Sequence, residues 1–85
     1  MFVIFDKEHY KCLGAFKSRI SAQNYITNHV IHQYKDKAHA QADYIKAVQE
    51  DPGFYLNLMN IYTFEEWCEY VCCDELEIYE VEVQE

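Results

Sequence analysis

The run Phe2-Val3-Ile4-Phe5 is apolar at every position, the pattern of a strand that packs on both of its faces. Polar residues 6–11 separate it from a second β-forming run, Cys12-Leu13-Gly14-Ala15-Phe16, and the two together predict a β-hairpin. Neither Asn-Gly nor Asp-Gly is there to fix the turn type. Gly14 inside the second strand marks a bulge or a close helix contact.

After the hairpin the period lengthens. Ser18 can accept a hydrogen bond from the first free amides of a helix, and Ala22, Tyr25, Ile26, His29 and Val30 then recur at helical spacing. No Pro or Gly interrupts the chain before Pro52. A single helix of about 30 residues is rare in a small domain, so a break near residues 34–37 is expected. Beyond it, Ala38, Ala42, Ile45 and Val48 form a weaker apolar stripe. Asp51-Pro52-Gly53 ends this segment, because Pro lacks the amide donor and Gly accepts a tight turn.

Residues 54–62 fit a helix face through Tyr55, Leu58, Met59 and Tyr62, or a strand through Phe54, Leu56 and Leu58; the helix is preferred. Thr63-Phe64-Glu65-Glu66 is a capping box, with Tyr62 and Trp67 spaced as its hydrophobic staple. Phe64, Trp67, Cys68, Val71 and Cys72 share one helical face. From Ile78 the period is two, with Tyr79, Val81 and Val83 on one side and Glu80 and Glu82 on the other, which predicts a closing strand with an acidic outer face.

The order strand, strand, helices, strand makes one domain, residues 1–85, of the α+β class. The doubly apolar first strand belongs in the centre, giving a three-stranded antiparallel sheet of order 2-1-3 packed on one face by two to four helices. The opening strand, the polar turn, Leu13-Gly14-Ala15-Phe16-Lys17-Ser18 leading into Ala22 and Tyr25-Ile26, and the closing Ile78-Tyr79-Glu80-Val81-Glu82-Val83 together resemble small bacteriophage-encoded accessory proteins of unknown function. The resemblance implies a phage or mobile-element origin and transfers no functional residues.

Charge divides the chain sharply. Residues 1–46 hold all seven Lys and Arg against four acids, whereas residues 47–85 hold eleven acids and no Lys or Arg, within a net charge of −8. With 51% hydrophobic and 16% aromatic residues, the chain has core material enough to fold. No stretch approaches the roughly 18 apolar residues of a membrane span, and the apolar start lacks a basic leader, so a cytoplasmic protein is expected, in the host cytoplasm if phage-encoded.

The four cysteines, Cys12, Cys68, Cys72 and Cys73, suit buried thiols better than a disulfide framework. His29 and His32 beside Cys68, Cys72 and Cys73 lack a compact zinc spacing, so no metal and no cofactor is expected. Cys72 and Cys73 sit at a helix C-terminus near Glu69, Asp74 and Glu75, where the field raises a thiol pKa and disfavours a nucleophile. No nucleotide loop or hydrolase elbow is present. The cations are too dispersed to bind nucleic acid directly.

These features predict a non-enzymatic acidic interaction protein, a phage or mobile-element inhibitor of a host or defence protein. Its binding residues would be Glu65, Glu66, Glu69, Asp74, Glu75, Glu80 and Glu82, aided by Tyr70. Carboxylates without counter-charges can imitate nucleic acid before a basic partner, such as a nucleic-acid-binding enzyme. The alternatives are a self-associating structural or regulatory module paired as a homodimer through strand edges, and a small metal-binding domain.

Overall fold

The computed structural model describes residues 1–50, 61 and 63–82. Strand β1 (Phe2–Asp6) pairs antiparallel with β2 (Lys11–Phe16) on one side and with β3 (Leu76–Glu80) on the other. The sheet order is therefore β2-β1-β3, with the doubly apolar strand in the centre as its sequence requires. Helices α1 (Arg19–Gln33), α2 (Lys37–Glu50) and α3 (Phe64–Val71) complete an α+β fold.

The hairpin turns on Asp6. Its Oδ1 accepts the amides of Glu8 and His9 at 3.0 and 3.1 Å, and its Oδ2 lies 2.8 Å from His9 Nδ1. Tyr10 closes the turn at φ 53°, a left-handed conformation unusual for a bulky residue. Between Ile4 and Phe5 the register with β2 slips, because Ile4 faces Gly14 and Phe5 faces Cys12, leaving Leu13 as the bulged residue. A Cβ on Gly14 would sit 3.2 Å from the Phe16 ring, so a glycine lets that ring lie close over the strand.

Each helix begins on a side-chain cap. The Ser21 amide donates to Ser18 Oγ at 3.2 Å, and the Glu66 amide donates to Thr63 Oγ1 at 3.1 Å, both caps having extended backbone. In the Thr63 box the hydroxyl also donates to Glu66 Oε1 at 3.0 Å, tying the two ends of the box together. The staple partner Tyr62, the segment 54–60 and Val83 lie outside the described residues. The expected break between the first two helices is made by Asp36, whose Oδ1 accepts the His39 amide at 2.9 Å.

The core joins Ile4 of the sheet, Ala22, Ile26 and Val30 of α1, Phe64, Trp67 and Cys68 of α3, and Cys72 and Leu76 beyond it. Ile4, Ile26, Val30 and Cys68 are fully enclosed, and burying an aliphatic side chain of this size contributes about 1.5–3 kcal/mol. Helix α1 packs on all three strands and most extensively on α3. Tyr44 of α2 joins it through ring contacts with Phe64 and Trp67, centroids 5.9 Å apart in each case.

Several expected faces are rotated. On α2 the stripe Ala38, Ala42, Ile45 and Val48 is exposed, while Ala40 is buried and Tyr44 and Ala47 are half-buried. The helix docks by its aromatic side, because Phe64 and Trp67 offer a larger surface than alanines can fill. On α1, Thr27 replaces Tyr25 in the buried set, its hydroxyl donating to Gln23 O at 3.0 Å, and Tyr25 packs on Phe16 at the sheet rim. Val71 is 45% exposed. Of the four cysteines only Cys68 and Cys72 are buried; Cys12 and Cys73 are exposed, on an edge strand and a turn.

The largest correction concerns β3. Ile4 pairs with Ile78, and both pack toward the helices with Leu76, whereas Val3 pairs with Tyr79 on the opposite side. Tyr79 and Val81 thus face away from the core, 44% and 43% exposed, and the sheet's open face is apolar where an acidic one was expected. Leu76 and Ile78, more deeply placed than Tyr79 and Val81, decided the register.

Candidate interaction surfaces

The seven candidate acids fall at three places in the fold. Glu65, Glu66 and Glu69 lie on α3, Asp74 and Glu75 on its exit turn, and Glu80 and Glu82 at the far end of β3. Glu65 and Glu66 stand in the first turn of α3, where the helix dipole favours negative charge. Tyr70 is half-buried and packs against the core. Asp74, Glu80 and Glu82 are exposed.

Besides the local Lys46–Glu50 pair on α2, Lys7 and Arg19 of the first half reach across the fold to the acidic half. Arg19, the first residue of α1, pairs with Glu69: Nη2 donates to Oε2 at 3.2 Å, and Nη1 lies 3.1 Å from Oε1, a buried oxygen that accepts no hydrogen bond. The contact is one charge-assisted bond with a second close approach of opposite charges. Lys7 Nζ lies 3.0 Å from Glu77 Oε2 and donates to the Cys73 carbonyl at 3.0 Å. The Tyr79 hydroxyl donates to the same Glu77 oxygen at 2.7 Å. Tyr79 and then Lys7 hold the Glu77 carboxyl below its usual range, and the Glu77 bond raises the Tyr79 phenol. Glu75 faces His29, 3.7 Å from Nε2, and Gln33. A cleft of about 210 Å³ opens beside these pairs, lined by Arg19, Ile26, Glu69, Cys73, Glu77 and Ile78 among others.

The buried thiols are held neutral. Burial, with the charge of Glu65 behind it, pushes the Cys68 thiol up to about 11, and burial pushes Cys72 up to about 12. The Cys72 thiol donates to the Cys68 carbonyl at 3.1 Å. A thiol that keeps its proton is a poor nucleophile and a poor metal ligand. Among the described residues, no three His, Cys, Asp or Glu side chains are grouped to hold a metal ion. No helix among them is long and apolar enough to cross a membrane.

The second surface was missed in the sequence. On the open side of the sheet, Val3, Phe5, Cys12, Tyr79 and Val81, with Glu80 at the rim, line an apolar depression of about 470 Å³. Phe5 and Tyr79 meet edge to face, centroids 6.4 Å apart. Met1 extends the same face, because its carbonyl accepts the Val81 amide at 2.8 Å and its amino group donates back at 3.2 Å. The signal was present in β1: Val3 and Phe5 alternate with Ile4, so a central strand with helices on one side only must leave two large apolar residues facing outward. Comparison with protein families, curated proteins and solved structures finds no match.

Proposed function

We propose that this chain is a non-enzymatic interaction protein that binds a basic surface of a protein partner through the carboxylates of α3, its exit turn and the far end of β3. In this reading it acts as a phage or mobile-element inhibitor of a host or defence protein. The supporting observation is the charge balance of the second half: Lys7 and Arg19 neutralise Glu77 and Glu69, while Asp74, Glu80 and Glu82 remain exposed. A partner whose basic groove ordinarily receives nucleic acid suits such a surface, since carboxylates can occupy phosphate positions and speed encounter.

The test is capture from a lysate on immobilised protein, at about 50 mM and about 500 mM salt, since contacts of this type weaken steeply over that range. A basic protein should be retained at low salt and released at high salt. The double variant Glu65→Lys, Asp74→Lys should lose it while keeping the wild-type circular dichroism spectrum. Retention indifferent to both salt and charge reversal would refute the electrostatic mode.

A further inference from the structure

Strand β3 is a border of the sheet, and its ladder with β1 decides which of its backbone groups are engaged. Met1 and Val81 exchange both hydrogen bonds, and the Lys7 amide donates to the Glu75 carbonyl at 2.8 Å. Bonded positions alternate along an antiparallel pair, so residues 75, 77, 79 and 81 turn N–H and C=O toward β1, while Leu76, Ile78 and Glu80 turn theirs outward. The Leu76 amide donates to the Cys72 carbonyl at 2.8 Å. Among the described residues nothing pairs with the outward groups of Ile78 and Glu80. The other border, β2, is blunted by its bulge at Leu13, whereas the β1–β3 ladder runs without one.

The cleft of about 210 Å³ lies between this border and the helices, with Arg19 and Ile26 of α1, Glu69 of α3 and Leu76 and Ile78 of β3 among its walls. Ile78 pairs with enclosed Ile4 and Glu80 with Phe2, so Ile78, Glu80 and Glu82 share the helix side of the sheet. Glu80 and Glu82 are exposed and have no ion-pair partner among the described residues. Glu69 adds a buried oxygen that accepts no hydrogen bond, and the cation beside it, Arg19, is already committed to that same carboxylate. The vacant border is thus acidic on its cleft side. A second copy paired antiparallel about Ile78 would bring Glu80 and Glu82 of each copy toward Asp74 and Glu75 of the other, like charge against like.

We infer that β3 receives an extended, lysine- or arginine-bearing segment of the partner protein as a fourth strand, antiparallel to β3; this rests on the electrostatic reading of the acids of α3 and β3 and gives their partner a shape. In such a strand the residues opposite Ile78 and Glu80 exchange backbone hydrogen bonds with β3, and their side chains fall on the cleft side. Those two positions take the cations, one over the cleft toward Glu69 Oε1 and one across from Glu80. The residues between them face the open side of the sheet beside exposed Tyr79 and take apolar side chains. The segment is therefore recognised by alternating basic and apolar residues, with main-chain bonds supplying affinity and the alternate side chains specificity.

The probe is a dye-labelled, end-blocked peptide, Lys-Val-Lys-Val-Lys, titrated with the full chain up to about 500 µM and followed by fluorescence anisotropy, a range that includes weak affinities. Saturable binding is expected. Methylating the backbone nitrogens of the lysines should weaken it about tenfold or more, because those N–H groups face β3, whereas methylating those of the valines, which face away, should leave it within about twofold. The peptide with Glu in place of every Lys should not bind. Glu80→Gln should weaken binding through charge, and Glu80→Pro should weaken it further, since it removes an outward N–H and no bond to β1; circular dichroism confirms that both variants are folded. Absence of binding by the parent peptide, or equal binding by the parent and lysine-methylated peptides, would overturn strand addition. In either case, salt-released capture of a basic protein from lysate would leave the electrostatic reading standing. Equal binding by the Glu peptide would refute both.

Discussion

Ile4 and Val3 are neighbours on β1 that face opposite sides of the sheet, and their truncation separates a covered face from an open one. Ile4 is fully enclosed among α1 and α3 side chains, whereas Val3 is half-buried beside Tyr79. Ile4→Ala removes aliphatic volume from a closed site and should cost about 3 kcal/mol, transfer and cavity together. Val3→Ala loses part of two methyl groups from a site open to water and should cost about 1 kcal/mol. Both variants share any loss of strand propensity, so the difference of about 2 kcal/mol is the informative quantity. In urea that difference separates the two midpoints by roughly 1–2 M. By heat, Ile4→Ala should lower Tm by about 12–24 °C. The sole tryptophan, Trp67, is 5% exposed in the core and reports unfolding by fluorescence without a label. Equal costs, or a larger cost at Val3, would show that both faces are covered and would refute the reasoning.

Thr63→Ala removes the α3 cap and should destabilise by about 1 kcal/mol, with Thr63→Ser close to wild type, as read from urea midpoints. Thiol labelling of native protein at neutral pH should be biphasic: exposed Cys12 and Cys73 react at once, and buried Cys68 and Cys72 only on unfolding; four fast thiols would refute the assigned burial. Burial raises the Asp6 carboxyl, but the hydrogen bonds from His9 and Glu8 outweigh it and leave it below the ordinary 3.8. A depressed carboxyl stabilises the fold above the unfolded value and loses that contribution as pH falls through the folded one, so Asp6→Asn should flatten the acid side of the stability–pH curve below about pH 4. Cys68 and Cys72 have the opposite sign, being raised from 9.0 to about 11 and about 12: above pH 9.0 the unfolded thiols ionise while the buried ones stay neutral, so stability falls progressively toward the folded values; Cys72→Ala should weaken this alkaline loss.

Local signals were legible wherever one interaction dominates. Ser18 and Thr63 capped helices as their side-chain oxygens predict, and the doubly apolar β1 took the centre of the sheet. Helix length alone signals the break after α1 in the reading above, although Asp36 is itself a favoured N-cap residue and its side chain caps α2. Faces were harder. Tyr79 and Val81 match a core pattern as well as Leu76 and Ile78 do, and the decision came from which pair meets Ile26 and Val30 across the fold, a long-range contact that periodicity does not encode. On α2, four alanines made the apolar stripe ambiguous, and the ring of Tyr44 settled its orientation. The acidic half was evident from composition, but its pairing with Lys7 and Arg19 depends on residues brought together from 50 or more positions apart.

The central strand sets the order in which this molecule can assemble. β1 finds β2 within a few residues, yet its other neighbour is β3, more than seventy residues later, and the Met1–Val81 hydrogen bonds close almost the entire chain into a loop. During synthesis the hairpin and α1 emerge with one long flank of β1 unzipped, and that flank stays vacant until residues 76–80 have left the ribosome. Closing so long a loop late favours slow folding over fast local collapse. A nascent chain halted before residue 76 would therefore display a naked apolar strand edge, a species for chaperones rather than for function.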